Sequence, residues 1–128
     1  MAIHYDIKPE GELLRVRAWG QDESLQDAQG YGKAVLDACT EHGCQRVLCD
    51  ERELVYGLDT LETFNLAEYE IARADTIFWL RVAIVHQPQN RELDTFYENV
   101  MVNRGAALRM FTDMEAALAW LMDDKSDS

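Results

Sequence analysis

Four consecutive residues, Asp50-Glu51-Arg52-Glu53, place three carboxyl groups and one guanidinium in one short stretch. Neighbouring carboxylates do general acid–base chemistry when burial splits their pKa values. They also ligate hard cations such as magnesium. No D-x-D-x-D-G loop frames Asp50, Glu51 and Glu53, and no histidine stands near them in sequence. The simplest reading is therefore a solvated acidic loop. A little further on, Asp59 and Glu62 have the spacing of a capping box, with Thr60 between them. A phosphate on Thr60 would find a helix N-terminus but also two carboxylates, which oppose it. His86 follows an apolar run and is expected at the C-terminal end of its strand, the edge where open α/β sheets bind ligands. It is a candidate titrating group there, or a histidine bonded to a loop carbonyl.

The composition narrows the classes. The chain has 128 residues, 48% of them hydrophobic, enough for one domain with its own core. Its net charge of −12 repels phosphate backbones and anionic lipid surfaces. No nucleic-acid partner is expected. The longest apolar run, Ile77 to Val85, is interrupted by Arg81 and is too short to span a bilayer. The N-terminal residues lack the pattern of a signal peptide, so a cytoplasmic protein is expected. Cys39, Cys44 and Cys49 are odd in number and lack C-x-x-C spacing. Free thiols are expected, with no metal and no cofactor. There is no G-x-G-x-x-G, no P-loop, and no arguable Ser/His/Asp or Cys/His set.

Elements must position these groups. Ala2 to Ile7 reads as a strand, Pro9 to Gly11 as a turn, and Glu12 to Trp19 as the second arm of a hairpin. Ser24 caps a helix with an apolar stripe of Leu25, Ala28, Tyr31, Gly32, Val35, Leu36 and Cys39, ending at Gly43. Arg46 to Asp50 is a short buried strand. A helix runs from the Asp59 cap to about Ala74, with Leu61, Phe64, Ala67 and Ile71 facing the core. Phe78 to His86 reads as a central parallel strand. Asn90 caps a helix carrying Leu93, Phe96, Tyr97, Val100 and Met101, which ends at Gly105. Ala106 to Phe111 is a last strand, and Thr112 with Glu115 starts the last helix. The expected fold class is α/β: a mixed sheet of about five strands with four helices, an antiparallel hairpin first and parallel strands after. One domain covers 1–122, and 123–128 reads as a disordered acidic tail.

The segments RVAIVHQPQ (Arg81 to Gln89) and FYENVMVNRGAALRMFTDMEAALAWL (Phe96 to Leu121) resemble the STAS family, and within it the SpoIIAA-like branch of small bacterial proteins. That resemblance implies a regulatory module. It also implies a phosphorylated serine in a D-S-S-G-type motif at the start of the helix after the third strand. Here the stretch is Gly57-Leu58-Asp59-Thr60-Leu61-Glu62: Asp59 and Thr60 match, but Leu61 replaces the second serine and Glu62 the glycine. The leading expectation is thus a non-enzymatic STAS-like module acting through a protein partner or a small ligand, without the phosphoserine switch. The ligand or partner corner would comprise Asp50, Glu51, Glu53, Asp59, Thr60 and His86. One alternative is a small enzyme using Asp50, Glu51, Glu53 and His86. Another is a homodimer without ligand, meeting through Leu66, Tyr69 and Arg73 on the outer face of the second helix.

Overall fold

The structure, a computed structural model, describes residues 3–88 and 91–123. The strands are β1 (Ile3–Glu10), β2 (Leu13–Gln21), β3 (Arg46–Val55), β4 (Arg81–Val85) and β5 (Ala107–Phe111). Between and after them come α1 (Leu25–His42), α2 (Thr60–Ile71), a single turn α3 (Ala74–Ile77), α4 (Arg91–Asn103) and α5 (Met114–Leu121). The sheet order is β1-β2-β3-β4-β5, with β1 antiparallel to β2 and every later pair parallel. This is the expected mixed sheet of a hairpin followed by parallel strands. The start of β1 at Ala2, the Asn90 cap and the tail from residue 124 lie outside the described residues.

Helix ends follow local chemistry. The Ser24 hydroxyl accepts from the Asp27 N–H at 3.1 Å, and Gly43 closes α1 in the left-handed region at φ 65°. Asp59 and Glu62 form the expected capping box: the Glu62 N–H donates to Asp59 Oδ1 at 2.8 Å, and the Asp59 N–H to Glu62 Oε1 at 3.1 Å. At α5 the cap is Asp113, which accepts from the Ala116 N–H at 3.1 Å, and not Thr112. A carboxylate one residue later competes successfully for the same backbone donors.

Two stretches depart from expectation. Phe78 and Trp79 are exposed and sit in a turn after α3, so β4 begins only at Arg81. The stretch read as an acidic loop is strand: β3 continues through Glu51, Arg52 and Glu53 to Val55 and stays paired with β2. Arg17 pairs with Asp50, but Trp19 pairs with Glu53. Two steps along β2 thus meet three along β3, a bulge that resets which side chains point inward. Glu51 and Leu54 are buried, while Arg52, Glu53 and Val55 are exposed.

Strand residues alternate between two cores. Val47, Cys49, Val82, Ile84 and Leu108 pack with α1, α2 and α4. Leu13, Leu48, Ala83 and Val85 pack against Ala117 and Leu121 of α5 on the opposite face.

Candidate functional site

The three-helix face is hollow. A cavity of about 110 Å³ lies between the sheet and α1, α2 and α4, with walls that are mostly apolar. It is several times the space one water needs. Val47 and Cys49 of β3, Val82 and Ile84 of β4, and Leu108 of β5 form its floor. Into this apolar space project the carboxyl groups of Asp22, Glu51, Glu70 and Asp94 and the phenols of Tyr31, Tyr56 and Tyr97.

Each position has a local origin. The β3 bulge follows Glu51 and leaves that side chain 7% exposed, on the inner face. Tyr31 belongs to the apolar stripe of α1, and Tyr97 to that of α4. Glu70 lies three residues after Ala67 and seven after Thr63, both buried, so helical geometry aims it at the sheet. Asp22, also 7% exposed, follows β2 and is tied down by its N–H donating to the Val55 carbonyl at 2.9 Å.

The phenols serve the carboxylates. The Tyr31 hydroxyl donates to Glu51 Oε2 at 2.8 Å, and the Tyr56 hydroxyl donates to Glu51 Oε1. The Tyr97 hydroxyl donates to Glu70 Oε1. Burial pushes the Glu51 carboxyl up to about 7 even though both tyrosines favour its charged form. Burial does the same to Glu70, also to about 7, against the Tyr97 hydrogen bond. For Asp22, burial and then the neighbouring Glu51 charge raise it to about 7. Asp22 Oδ1 has no hydrogen-bond partner among the described residues.

His86 stands at the C-terminal end of β4, as expected. Its backbone N–H donates to Phe111 O at 2.8 Å, and its Nδ1 lies 2.9 Å from the Gln87 carbonyl and against the Asp94 carboxylate. Burial disfavours the imidazolium, but Asp94 and the Gln87 carbonyl outweigh it and raise the pKa. Asp94 also lines the cavity, so the His86–Asp94 pair sits at its edge, next to a second hollow formed with Thr95, Glu98 and Phe111.

The expected corner is therefore split. Glu51 lines the cavity, whereas His86 lines the second hollow and reaches the cavity only through Asp94. Asp50 and Glu53 point away: Asp50 binds Arg52 at 2.8 Å, and Glu53 binds Arg17 at 2.7 Å. Asp59 is engaged in its capping box, and Thr60 is exposed beside it. The four groups of the enzymatic alternative are thus not assembled around one space. On α2 the expected faces are exchanged in part. Leu61 is 67% exposed, whereas Leu66, expected outside, lines the cavity. Tyr69 is half-buried, and Arg73 pairs with Asp37 of α1 at 2.6 Å. Arg104 likewise joins Glu68 of α2. These two ion pairs fasten α2 to the helices on either side.

Comparison with solved structures places this frame. An anti-sigma factor antagonist from Mycobacterium paratuberculosis superposes with a TM-score of 0.62 at 12% identity, over 95% of this chain and 96% of that one. The chain has the SpoIIAA-like fold. An uncharacterised Shewanella loihica protein described as having that fold matches with a TM-score of 0.54 at 22% identity, over 94% of both chains. The anti-sigma factor antagonist SpoIIAA in its unphosphorylated form matches at 0.52 and 13% identity, over 88% of this chain and 92% of that one. No protein-family model and no curated protein matches the sequence. Within the SpoIIAA-like frame the cavity occupies the layer between the sheet and three of the helices. Among the described residues no helix is long and apolar enough to cross a membrane.

Proposed function

We propose that the protein is a non-enzymatic, SpoIIAA-like regulatory or binding module that works in the cytoplasm and responds to a small ligand held between its sheet and α1, α2 and α4. The observation that carries this reading is the apolar cavity lined by the buried Asp22, whose Oδ1 has no partner among the described residues. A buried polar atom without a partner costs about 1–3 kcal/mol, and a ligand that supplies the partner recovers it. Apolar walls with a few convergent polar groups are the usual make-up of a small-molecule site.

The α2 N-terminus then serves as a cap and not as a phosphoswitch, because the Asp59–Glu62 capping box already sets two carboxylates there, which oppose a phosphate on Thr60. Regulation passes instead through occupancy. A ligand touching Leu66 and Glu70 bears on α2, the helix that begins at the Asp59–Thr60 corner, where the family resemblance implies a switch.

The test is ligand-observed and amide NMR against a panel of small apolar molecules, with Val82→Phe as the blocked cavity. Binding that shifts Cys49, Tyr97 and Leu108 in the wild type and is lost in Val82→Phe is expected. A panel in which no member binds, neutral or charged, overturns the reading. Phosphothreonine at position 60 in protein from its native host would overturn the capping role.

A further inference from the structure

We infer that the ligand is a small apolar amine, held as its ammonium ion by Glu51 and Glu70 with Asp22 completing the site. This rests on the cavity being a ligand site and adds the ligand's chemical class.

Charge is the first argument. β3 and the three helices around the cavity each contribute an acid or a phenol: Glu51 with Cys49 from β3, Glu70 from α2, Tyr31 from α1, Asp94 and Tyr97 from α4, with Asp22 and Tyr56 from the flanking loops. Among the described residues no lysine or arginine lines it. His86 is a basic group nearby, and Asp94 and the Gln87 carbonyl already engage its Nδ1. Buried carboxylates without a cation lose far more in desolvation than their hydrogen bonds return. They either hold a proton or take a positive charge, which a ligand can supply.

Hydrogen bonding is the second. Both Glu51 oxygens already accept from tyrosine hydroxyls, and Glu70 Oε1 accepts from Tyr97. Those phenols are spent as donors. Above about pH 7, where these acids are ionised, a ligand that brings only acceptors, such as a carboxylate or a ketone, finds no donor among them. Asp22 Oδ1 has no partner among the described residues and calls for a donor. An ammonium group offers three donors and no acceptor, as a lysine does.

The third is the body of the ligand. Among the described residues no group of histidines, cysteines and carboxylates is placed to hold a metal ion, and most of the wall is aliphatic. A bare inorganic cation would leave that wall uncovered. A cavity of about 150 Å³ takes benzene. At about 110 Å³ this one is smaller and suits an amine with a body smaller than benzene, a short branched chain or a four-membered ring.

The probes are cyclobutylamine, cyclobutanol and cyclobutanecarboxylate, which share a small ring and differ in charge, titrated calorimetrically into the full chain. At about pH 8 the amine should bind at least about tenfold more tightly than the alcohol, and the carboxylate should not bind. Amine affinity should fall by up to about tenfold for each pH step below about 7, as the acids take up protons, while that of the alcohol stays level. Glu70→Gln should weaken the amine about tenfold and leave the alcohol within about twofold. If Glu70→Gln does not fold, the wild-type pH profile decides alone. Equal binding of alcohol and amine, or amine binding that does not vary between pH 5 and 8, overturns the amine assignment and leaves the cavity reading standing. Silence from all three probes and from the wider panel overturns both.

Discussion

The two faces of the sheet make opposite use of the same strands. Toward α5, Leu13, Leu48, Ala83 and Val85 close on Ala117 and Leu121 with no acid among them. Toward α1, α2 and α4, the alternate residues of β3 to β5 leave a hollow and surround it with carboxyl groups. One-residue steps separate the two: Leu48 lies between Val47 and Cys49, Ala83 between Val82 and Ile84. The contrast divides labour. The α5 face supplies packing free energy, and the three-helix face gives some of it up to keep a space and buried charge. Sites that bind are commonly less stable than the scaffold around them.

Truncation should break this symmetry most visibly. Leu121→Ala removes a fully buried side chain from the solid face, and we expect a loss of about 3–5 kcal/mol in chemical denaturation. Leu108→Ala removes a side chain that already borders empty space, so its neighbours lose fewer contacts, and about 2 kcal/mol is expected. Equal losses at the two positions would mean that both faces are packed alike.

Acidity should sharpen the contrast next. Asp22, Glu51 and Glu70 have folded-state values of about 7, against roughly 4 in an unfolded chain. Between those values the folded state holds more protons, so stability falls as pH rises toward 7. Asp94 is also raised and acts in the same direction. His86, raised by Asp94, contributes stability below its unfolded value that is lost as pH climbs through its folded one. The opposite limb belongs to the surface pairs: Asp37 beside Lys33 and Asp50 beside Arg52 are lowered, and their contribution is lost only in strong acid. Denaturation midpoints should therefore be higher near pH 5 than near pH 8. Glu51→Gln should flatten that slope and stabilise the protein at pH 8 by about 1–3 kcal/mol. A wild type whose stability rises from pH 5 to pH 8 would show that the inner acids do not carry these shifts.

What was legible in the sequence follows the same division. The architecture could be read because caps and periodicity are local: Ser24, the Asp59–Glu62 box and Gly43 act within one or two turns. The solid face could be read too, since the last helix and the central strand announce themselves by apolarity. The cavity could not. Glu51 looked like one acid among three in a loop, because alternation is broken there by a bulge that only pairing with β2 reveals. Tyr31 and Tyr97 sat in apolar stripes, where a phenol reads as core. Glu70 carried a faint signal, a carboxylate at helical spacing from Thr63 and Ala67, but the face was assigned through Leu61, which is exposed. Asp22 gave no local sign, since its burial depends on β3 continuing to Val55.

The smallest expected effect on stability tests the hollow face most directly. Gly32 lies inside α1, where glycine costs about 0.5–1 kcal/mol relative to alanine. A Cβ at this position would come 2.7 Å from Glu70 Oε2. That oxygen ends a flexible side chain, so it can swing aside at modest cost. The helix gain and the displacement cost oppose each other, and Gly32→Ala should leave the unfolding free energy within about 1 kcal/mol of wild type. The displaced carboxylate, however, leaves the Tyr97 hydroxyl and the cavity wall. Cyclobutylamine binding should then weaken by about tenfold while cyclobutanol binding holds. The α5 cluster of Leu13, Leu48, Ala83, Val85, Ala117 and Leu121 contains no acid, so no equivalent separation of stability from binding is expected at those positions. If Gly32→Ala keeps the wild-type affinity for the amine, Glu70 is not part of the amine's site. The acidity of the cavity would then be a cost of this packing and not its use.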